Sequence, residues 1–308
     1  EITGPFALLN GDGRYAASDL VRLFDAAPAL GVHRVDDPSA YGVVSTSDGV
    51  VDEVVEKPAE PPSDLVSTGA CALPEEAAAR AANVERSARG EYEMTDVLAE
   101  VIARHAVRAV EFETWRDVGR PWELLEANVE FLEGVERRVA GTVDPAADLR
   151  GRVVVEPGAR VDAGVVIEGP ALVCEDATVG PNAYVRGGTV VGEGAHVGHA
   201  VEVKRSLLLA GATVGHLTYV GDSVVGHDAN LGAGTVVANL RHDDEPVRMT
   251  VKGDRVSTGR RKFGAVVGPG AKTGIDTSMA PGVTLGAGAT TGPGETLLRD
   301  RADGEGPR

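Results

Sequence analysis

The chain has 308 residues, enough for two domains with cores of their own, and its apolar fraction of 43% is that of a globular protein. A formal net charge of -17 makes nucleic acid and anionic membranes poor partners for the surface as a whole. No apolar run reaches membrane-spanning length and no secretory signal opens the chain, so a cytoplasmic location is expected.

Only five of the thirty basic residues are Lys: Lys57, Lys204, Lys252, Lys262 and Lys272. An acidic, Lys-poor, Ala- and Val-rich surface fits a protein kept soluble in high salt. A GC-rich genome, which favours Arg and Ala, gives the same composition. Cys71 and Cys174 lie far apart and read as buried small apolar residues, not as a disulfide framework or a metal knuckle. Glu1 in place of Met suggests a fragment.

Residues 1–140 read as mixed α/β. "PFALLNGD" is a short apolar run ending in Gly and Asp, which suits a buried strand. "AASDLVRLFDAA" has helical spacing with Ser18 and Asp19 as candidate caps. "ALGVHRV" and "GVVDEVVEKP" predict strands, and "EEAAARAANVERSA" and "MTDVLAEVIARHA" predict amphipathic helices. "PWELLEANVEFLEGVERRV" predicts a longer helix with Pro121 in its first turn.

From about residue 151 the pattern changes. Val155, Val161, Ile167, Val173, Val179, Val185, Val191, Val197 and Val203 recur every six residues, all β-branched, with small or turn-forming residues between them. The beat continues with shifts to Val237 and resumes from Val267 to Leu297. Such a hexapeptide repeat specifies a parallel β-helix: each hexad supplies one short strand and a turn, three hexads close a coil, and the β-branched residue points inward. The expected division is residues 1–140, a β-helix over 141–299, and a disordered tail over 300–308.

Between the two runs, residues 238–262 keep no beat and should leave the coil as a loop. The loop holds seven basic residues (Arg241, Arg248, Lys252, Arg255, Arg260, Arg261, Lys262) against Asp243, Asp244, Glu245 and Asp254. It is either a solvated connector or a phosphate-binding arm, since Arg and Lys are natural phosphate donors. Just before it, "GHLTYVGDSVVGHDANLGAGTVVANLR" carries His216, Tyr219, Asn230, Asn239 and Arg241. A histidine titrating near neutrality can take a proton from an amine or hydroxyl, and Asn side chains and backbone N–H groups can orient an acyl group. Arg186 lies one expected coil before Lys204, which stacks the two cations on one side of the prism.

The hexads resemble those of the left-handed β-helix acyltransferases, which implies the hand and a homotrimer. "GHLTYVGDSVVGHDANLGAGTVVAN" is similar to the acetyltransferase signature of the bifunctional N-acetylglucosamine-1-phosphate uridyltransferase/glucosamine-1-phosphate acetyltransferases, and "KGDRVSTGRRKFGAVVGPGAKTGID" to their archaeal form. "LLNGD", "YGVV", "EVVEKP", "STGACALP", "EYEMTDVL" and "WRDVGRPWELLEAN" resemble successive blocks of sugar-1-phosphate nucleotidylyltransferases, so the likeness covers nearly the whole chain. It implies acetyl transfer from acetyl-CoA to the amine of glucosamine-1-phosphate, with His216 as general base. Arg186, Lys204, Tyr219 and Asn230 would contact the sugar phosphate, and Ala233, Asn239 and Lys262 acetyl-CoA. In the front half the resemblance implies Mg²⁺ on Asp12 and Asp117, which suits two carboxylates meeting over phosphates, and sugar contacts from Glu56 and Lys57.

The departures are Leu240 where the bacterial pattern has Tyr, Ser67 where an Asn usually contacts the sugar, and no G-x-G-T-R loop. The front half is therefore expected to be a partial nucleotidylyltransferase domain, inactive in this chain. The alternative is a sugar-1-phosphate nucleotidylyltransferase whose β-helix only trimerises it. A metal site of the γ-carbonic-anhydrase kind, drawn from His196, His199, His216 and His227, is disfavoured because their spacings do not match. A purely structural scaffold is the blandest reading.

Overall fold

The computed structural model describes residues 2–87, 90 and 92–307, and these form two compact units, 1–119 and 120–308. The first holds a six-stranded mixed sheet made from β1 (Phe6–Leu9), β3 (Ala29–Arg34), β4 (Gly42–Ser47), β5 (Val50–Glu56), β6 (Leu65–Leu73) and β7 (Arg108–Glu111), in the order β1-β6-β3-β7-β5-β4. A two-stranded ribbon pairs β2 (Gly13–Tyr15) with β8 (Trp115–Asp117). Leu30, Val44, Val51, Cys71 and Leu73 pack with Leu98 and Val101 of the helix α3 (Met94–Ile102) into the main core of this unit.

Helix α1 spans Ala17–Asp25, with Ala16 at its N-cap, so Ser18 and Asp19 do not cap it. Asp19 is instead buried in the first turn, where its carboxylate accepts from Arg22 at 2.6 Å and from the Thr114 backbone at 3.3 Å. That hydrogen bonding holds its pKa below the usual carboxylate range despite burial. The next helix, α2, is shorter than its sequence suggests, covering only Glu76–Ala81; Ala88, at the end of the expected segment, lies outside the described residues.

The second unit opens with α4 (Pro121–Glu133), Pro121 standing at the first helical position where its missing N–H costs nothing. The division at Gly119/Arg120 gives this helix to the β-helix unit, because Leu125 and Leu132 pack with Val190, Leu207 and Val224 on the outside of the coils. The first coil strand is Arg138–Val139. From there the parallel strands stack into three sheets of six, eight and eight strands.

Inward positions form continuous ladders. In one sheet Leu149, Ile167, Val185, Val203, Val220, Val237, Met279 and Leu297 are neighbours from coil to coil. Each buried aliphatic side chain is worth about 1.5–3 kcal/mol over an exposed one, and the shape of the branched side chain fixes the register. Register pairs Val191 with Leu208 and Val203 with Val220, so the shift after Val203 is one coil shortened by a residue, not a break in the helix.

Residues 238–262 leave the coil as expected, but they are ordered. They carry an antiparallel hairpin, Arg248–Val251 with Asp254–Ser257, and seat Val247 and Met249 beside Phe263 and α4. A hexad count is blind to this segment because its apolar residues face the outer surface. The segment 300–307, expected as a tail, packs on the end of the coil. Arg301 is 2% exposed, pairs with Glu295, and bridges to Leu285 in parallel register, so the segment completes the last coil.

Candidate functional site

Two groups of candidate residues come together, one in each unit. In the β-helix, parallel pairing places Arg186 beside Lys204 and Glu202 beside Tyr219. Val185, Val203 and Val220 point inward, so the alternate side chains Arg186 and Lys204 share the outer face of one sheet, as their eighteen-residue spacing predicts. Arg186 donates to Glu202 at 3.0 Å and its guanidinium lies 5.8 Å from the Tyr184 ring centroid. Lys204 Nζ donates to Asp222 Oδ2 at 3.0 Å, and Asn239 Nδ2 donates to the same oxygen at 2.5 Å while lying 3.3 Å from the Tyr219 hydroxyl. Burial, with the charge of Asp222 behind it, pushes the Tyr219 phenol up. It is therefore a neutral donor or acceptor at neutral pH.

His216 ends the strand Thr213–His216 of the neighbouring sheet, three residues before Tyr219. Leu217 turns the corner between them with φ of +50°, and the buried Thr218 hydroxyl donates to the His216 carbonyl at 2.7 Å. The backbone is thus held while the imidazole stands exposed, in register with His199 one coil earlier. Asn230 pairs with Thr213 on that same sheet, and Ala233 follows in the next turn. Lys262 forms an antiparallel bridge with Leu240 where the loop returns. It lines a cavity of about 430 Å³ together with Lys204, Arg205, Asp222, Arg260 and Trp122. Part of this basic lining is neutralised: Arg260 pairs with Glu126 of α4, and Arg261 with Asp244 at 2.6 Å.

Glu202 and Asp222 are site residues that were not expected from the sequence. Asp222 lies inside the stretch GHLTYVGD that carries the resemblance, and that was the available signal. Glu202 carried none, because its importance arises only from register with Tyr219. The two cysteines are free: Cys71 is buried in β6, and burial pushes its thiol up to about 12, while Cys174 is half-buried and raised to about 11 for the same reason. Neither is a thiolate nucleophile at neutral pH.

In the first unit, Asp12, Glu56, Lys57, Ser67, Trp115 and Asp117 line a cavity of about 220 Å³. The ribbon puts Gly13 opposite Asp117, and Val118 N–H donates to the Asp12 carbonyl at 2.9 Å, so the two carboxylate residues come from adjoining segments. Among the described residues no three metal-ligating side chains are grouped. Two carboxylates nonetheless fit Mg²⁺, which commonly binds through one or two of them and takes water and substrate phosphate for the rest. Tyr15 donates to the Thr68 carbonyl at 3.0 Å beside this cavity, and burial pushes its phenol up to about 12, with Asp12 and Asp117 contributing. The buried Trp115 Nε1 finds no acceptor among the described residues.

One unit thus carries a cavity lined by two carboxylates on an α/β sheet, and the other a hexapeptide β-helix with an exposed His on one sheet and two stacked cations on the next, a layout with two candidate sites. The nucleotidyl transferase family profile matches residues 4–134, and the GMPPB C-terminal domain profile matches 167–263. The bifunctional sugar-1-phosphate nucleotidylyltransferase/acetyltransferase of Sulfurisphaera tokodaii is 38% identical over 88% of this chain and 69% of its own. The bifunctional protein GlmU of Methanococcus vannielii is 38% identical over 92% and 70%, and that of Methanocaldococcus jannaschii 37% over 90% and 68%. The chain belongs to the bifunctional sugar-1-phosphate nucleotidylyltransferase/acetyltransferase family, with the left-handed β-helix of that family. No helix among the described residues is long and apolar enough to cross a membrane.

Proposed function

We propose that the β-helix transfers acetyl from acetyl-CoA to the amine of glucosamine-1-phosphate. The observation that carries this is the convergence of Arg186, Lys204, Tyr219 and Asn239 on one outer face, a single turn from the exposed His216. The cations take the sugar phosphate, with Asn230 on the adjoining sheet completing the sugar contacts. His216 removes a proton from the amine as its nitrogen attacks the thioester carbonyl. Asn239 holds the acetyl group, and backbone at Ala233 with Lys262 holds the rest of the donor. The tetrahedral intermediate then collapses, the C–S bond breaks, and the coenzyme A thiolate leaves and is protonated, giving the amide. No acyl-enzyme is formed, since neither cysteine lies in this cluster.

The active assembly is read as a homotrimer whose site lies in a groove shared by neighbouring β-helices. Light scattering in high salt should give three chains; a fully active monomer refutes this. In the first unit, Asp12 and Asp117 would hold Mg²⁺, which neutralises phosphate charge, while Glu56 and Lys57 position the sugar of N-acetylglucosamine-1-phosphate for reaction with UTP. Pyrophosphate release by the 308-residue polypeptide, compared with one supplied with a glycine-rich loop, decides whether these residues suffice for that step. A thiol-release assay with acetyl-CoA and a panel including glucosamine-1-phosphate and galactosamine-1-phosphate tests the acetyl-transfer reading. No thiol release above background with either amino sugar overturns it.

A further inference from the structure

The Asp222 side chain is 5% exposed, against 19% for its partner Lys204. A carboxylate this deep is unfavourable unless it is paired. Its pairing is unusual in kind: one oxygen, Oδ2, accepts from both the Lys204 ammonium at 3.0 Å and the Asn239 amide at 2.5 Å. In the acetyl-transfer reading, on which this inference rests, those two groups serve different substrates. Among the described residues no hydrogen bond joins Lys204 to Asn239 directly; Asp222 is the link.

The main chain repeats the link. Asp222 N–H donates to the Lys204 carbonyl at 2.8 Å, and its own carbonyl accepts from Gly264 N–H at 2.8 Å, where the 238–262 loop rejoins the coil. Phe263 N–H donates to the Asn239 carbonyl at 3.0 Å in the same place. The corner backbone itself does not require a carboxylate here. Lys204 pairs with Gly221, so Arg205 occupies the same corner one coil earlier; it turns that corner with φ of +43°, as Asp222 does with +49°, and its side chain is 44% exposed. A corner of this shape is thus made without burying a charge, and Arg205 Nε lies 3.9 Å from Asp222 Oδ1, a long pairing that leaves Oδ2 to Lys204 and Asn239.

We infer that Asp222 is a positioning residue that ties the sugar-phosphate subsite to the acetyl subsite, so that Lys204 and Asn239 act as one unit. It touches neither substrate. Its carboxylate fixes the directions of an ammonium and an amide that would otherwise move separately, and its backbone ties both to the point where the basic loop rejoins the coil.

Steady-state acetyl transfer tests this with the full chain, glucosamine-1-phosphate and acetyl-CoA. Asp222→Asn keeps the side-chain shape, and Asn tolerates the left-handed backbone at this corner. The expected result is a higher KM for both substrates and a kcat/KM lower by about tenfold to hundredfold, the scale of a hydrogen bond to a charged group. Thermal unfolding and oligomeric state should stay as in the wild type. Lys204→Met should raise KM mainly for the sugar phosphate and Asn239→Ala mainly for acetyl-CoA, each with a smaller rise for the other substrate because the shared carboxylate loses one of its partners. Wild-type kinetics for Asp222→Asn, or an effect confined to one substrate, overturns the inference.

The cycle between Lys204→Met and Asn239→Ala provides a second reading that survives misfolding of Asp222→Asn. Coupling predicts a double variant at least about fivefold more active than the product of the two single losses. Independent, multiplicative losses overturn the inference even in an active enzyme. A wild-type chain that transfers no acetyl to either amino sugar removes the functional reading and this inference with it.

Discussion

Arg186 and Lys204 are neighbours because eighteen residues make one coil; Asp12 and Asp117 are neighbours only because β2 and β8 pair from opposite ends of the first unit. The β-helix is nearly one-dimensional, so each position is set by the coils next to it and site geometry follows from counting. The α/β unit is built largely from non-local pairings, and its cavity collects residues from six separated stretches. The sharpest way to separate the two units is to remove chemistry from one and measure both. His216→Ala should lower acetyl transfer by about 10² to 10⁴, the usual contribution of a general base, with oligomeric state unchanged. Near wild-type turnover, or an acetylated side chain trapped on the enzyme, would show that the β-helix works by another route.

The same contrast explains what could be read in the sequence. Val155 to Val203 announce the inward ladders because every coil imposes the same constraint on the same position. Arg186, Lys204 and Tyr219 inherit that legibility. Asp222 does not, since its role depends on Asn239 and on the loop returning at Phe263 and Gly264, which the hexad rhythm does not encode. The hairpin in 238–262 and the placement of α4 escaped for a related reason: both use outward positions, such as Val190 and Leu207, that a search for inward residues ignores. In the first unit, the residues at the cavity were legible only by resemblance, because nothing in local pattern announces that Glu56, Ser67 and Asp117 meet.

Core truncation should also tell the units apart. Ile167 is fully buried between Leu149 and Val185, so Ile167→Ala should cost about 2–5 kcal/mol. Leu30→Ala in the first unit belongs to the same range but to a different core. Urea unfolding followed by a probe in each unit should show each variant shifting its own transition. A single transition moved equally by both would mean that the two cores unfold as one.

Turn chemistry gives a smaller effect. Gly211 has φ of +70°, and a Cβ there would collide with Oδ1 of Asp228 on the next coil. Gly158 with Asp176, Gly164 with Asn182 and Gly234 with Asp276 repeat this arrangement, in which a short polar side chain caps the glycine of the preceding coil. Gly211→Ala should therefore destabilise the β-helix by about 1–3 kcal/mol, combining left-handed strain with displacement of Asp228. An unchanged unfolding midpoint would show that the corner relaxes freely.

The smallest effect is confined to alkaline pH in the first unit. Burial holds the Tyr15 phenol at about 12 in the fold, against 10.0 for an ordinary tyrosine. The protonated form is therefore favoured by folding. Below pH 10 both states keep the proton and the Tyr15 contribution is fully present; between 10 and 12 the unfolded chain ionises first, and stability falls; above 12 both are ionised and the loss levels off. Partial solvent access reduces the size of this loss below what the shift alone would give. The first unit should unfold at progressively lower urea between pH 10 and 12, and Tyr15→Phe should remove the Tyr15 share of that slope while sacrificing the hydrogen bond to the Thr68 carbonyl at every pH. The β-helix transition provides the internal reference, since Tyr15 lies outside it and any alkaline slope from its own raised Tyr219 is the same in both proteins. An equal alkaline slope in Tyr15→Phe and wild type would place the titrating group elsewhere and leave Tyr15 as a packing residue beside the cavity.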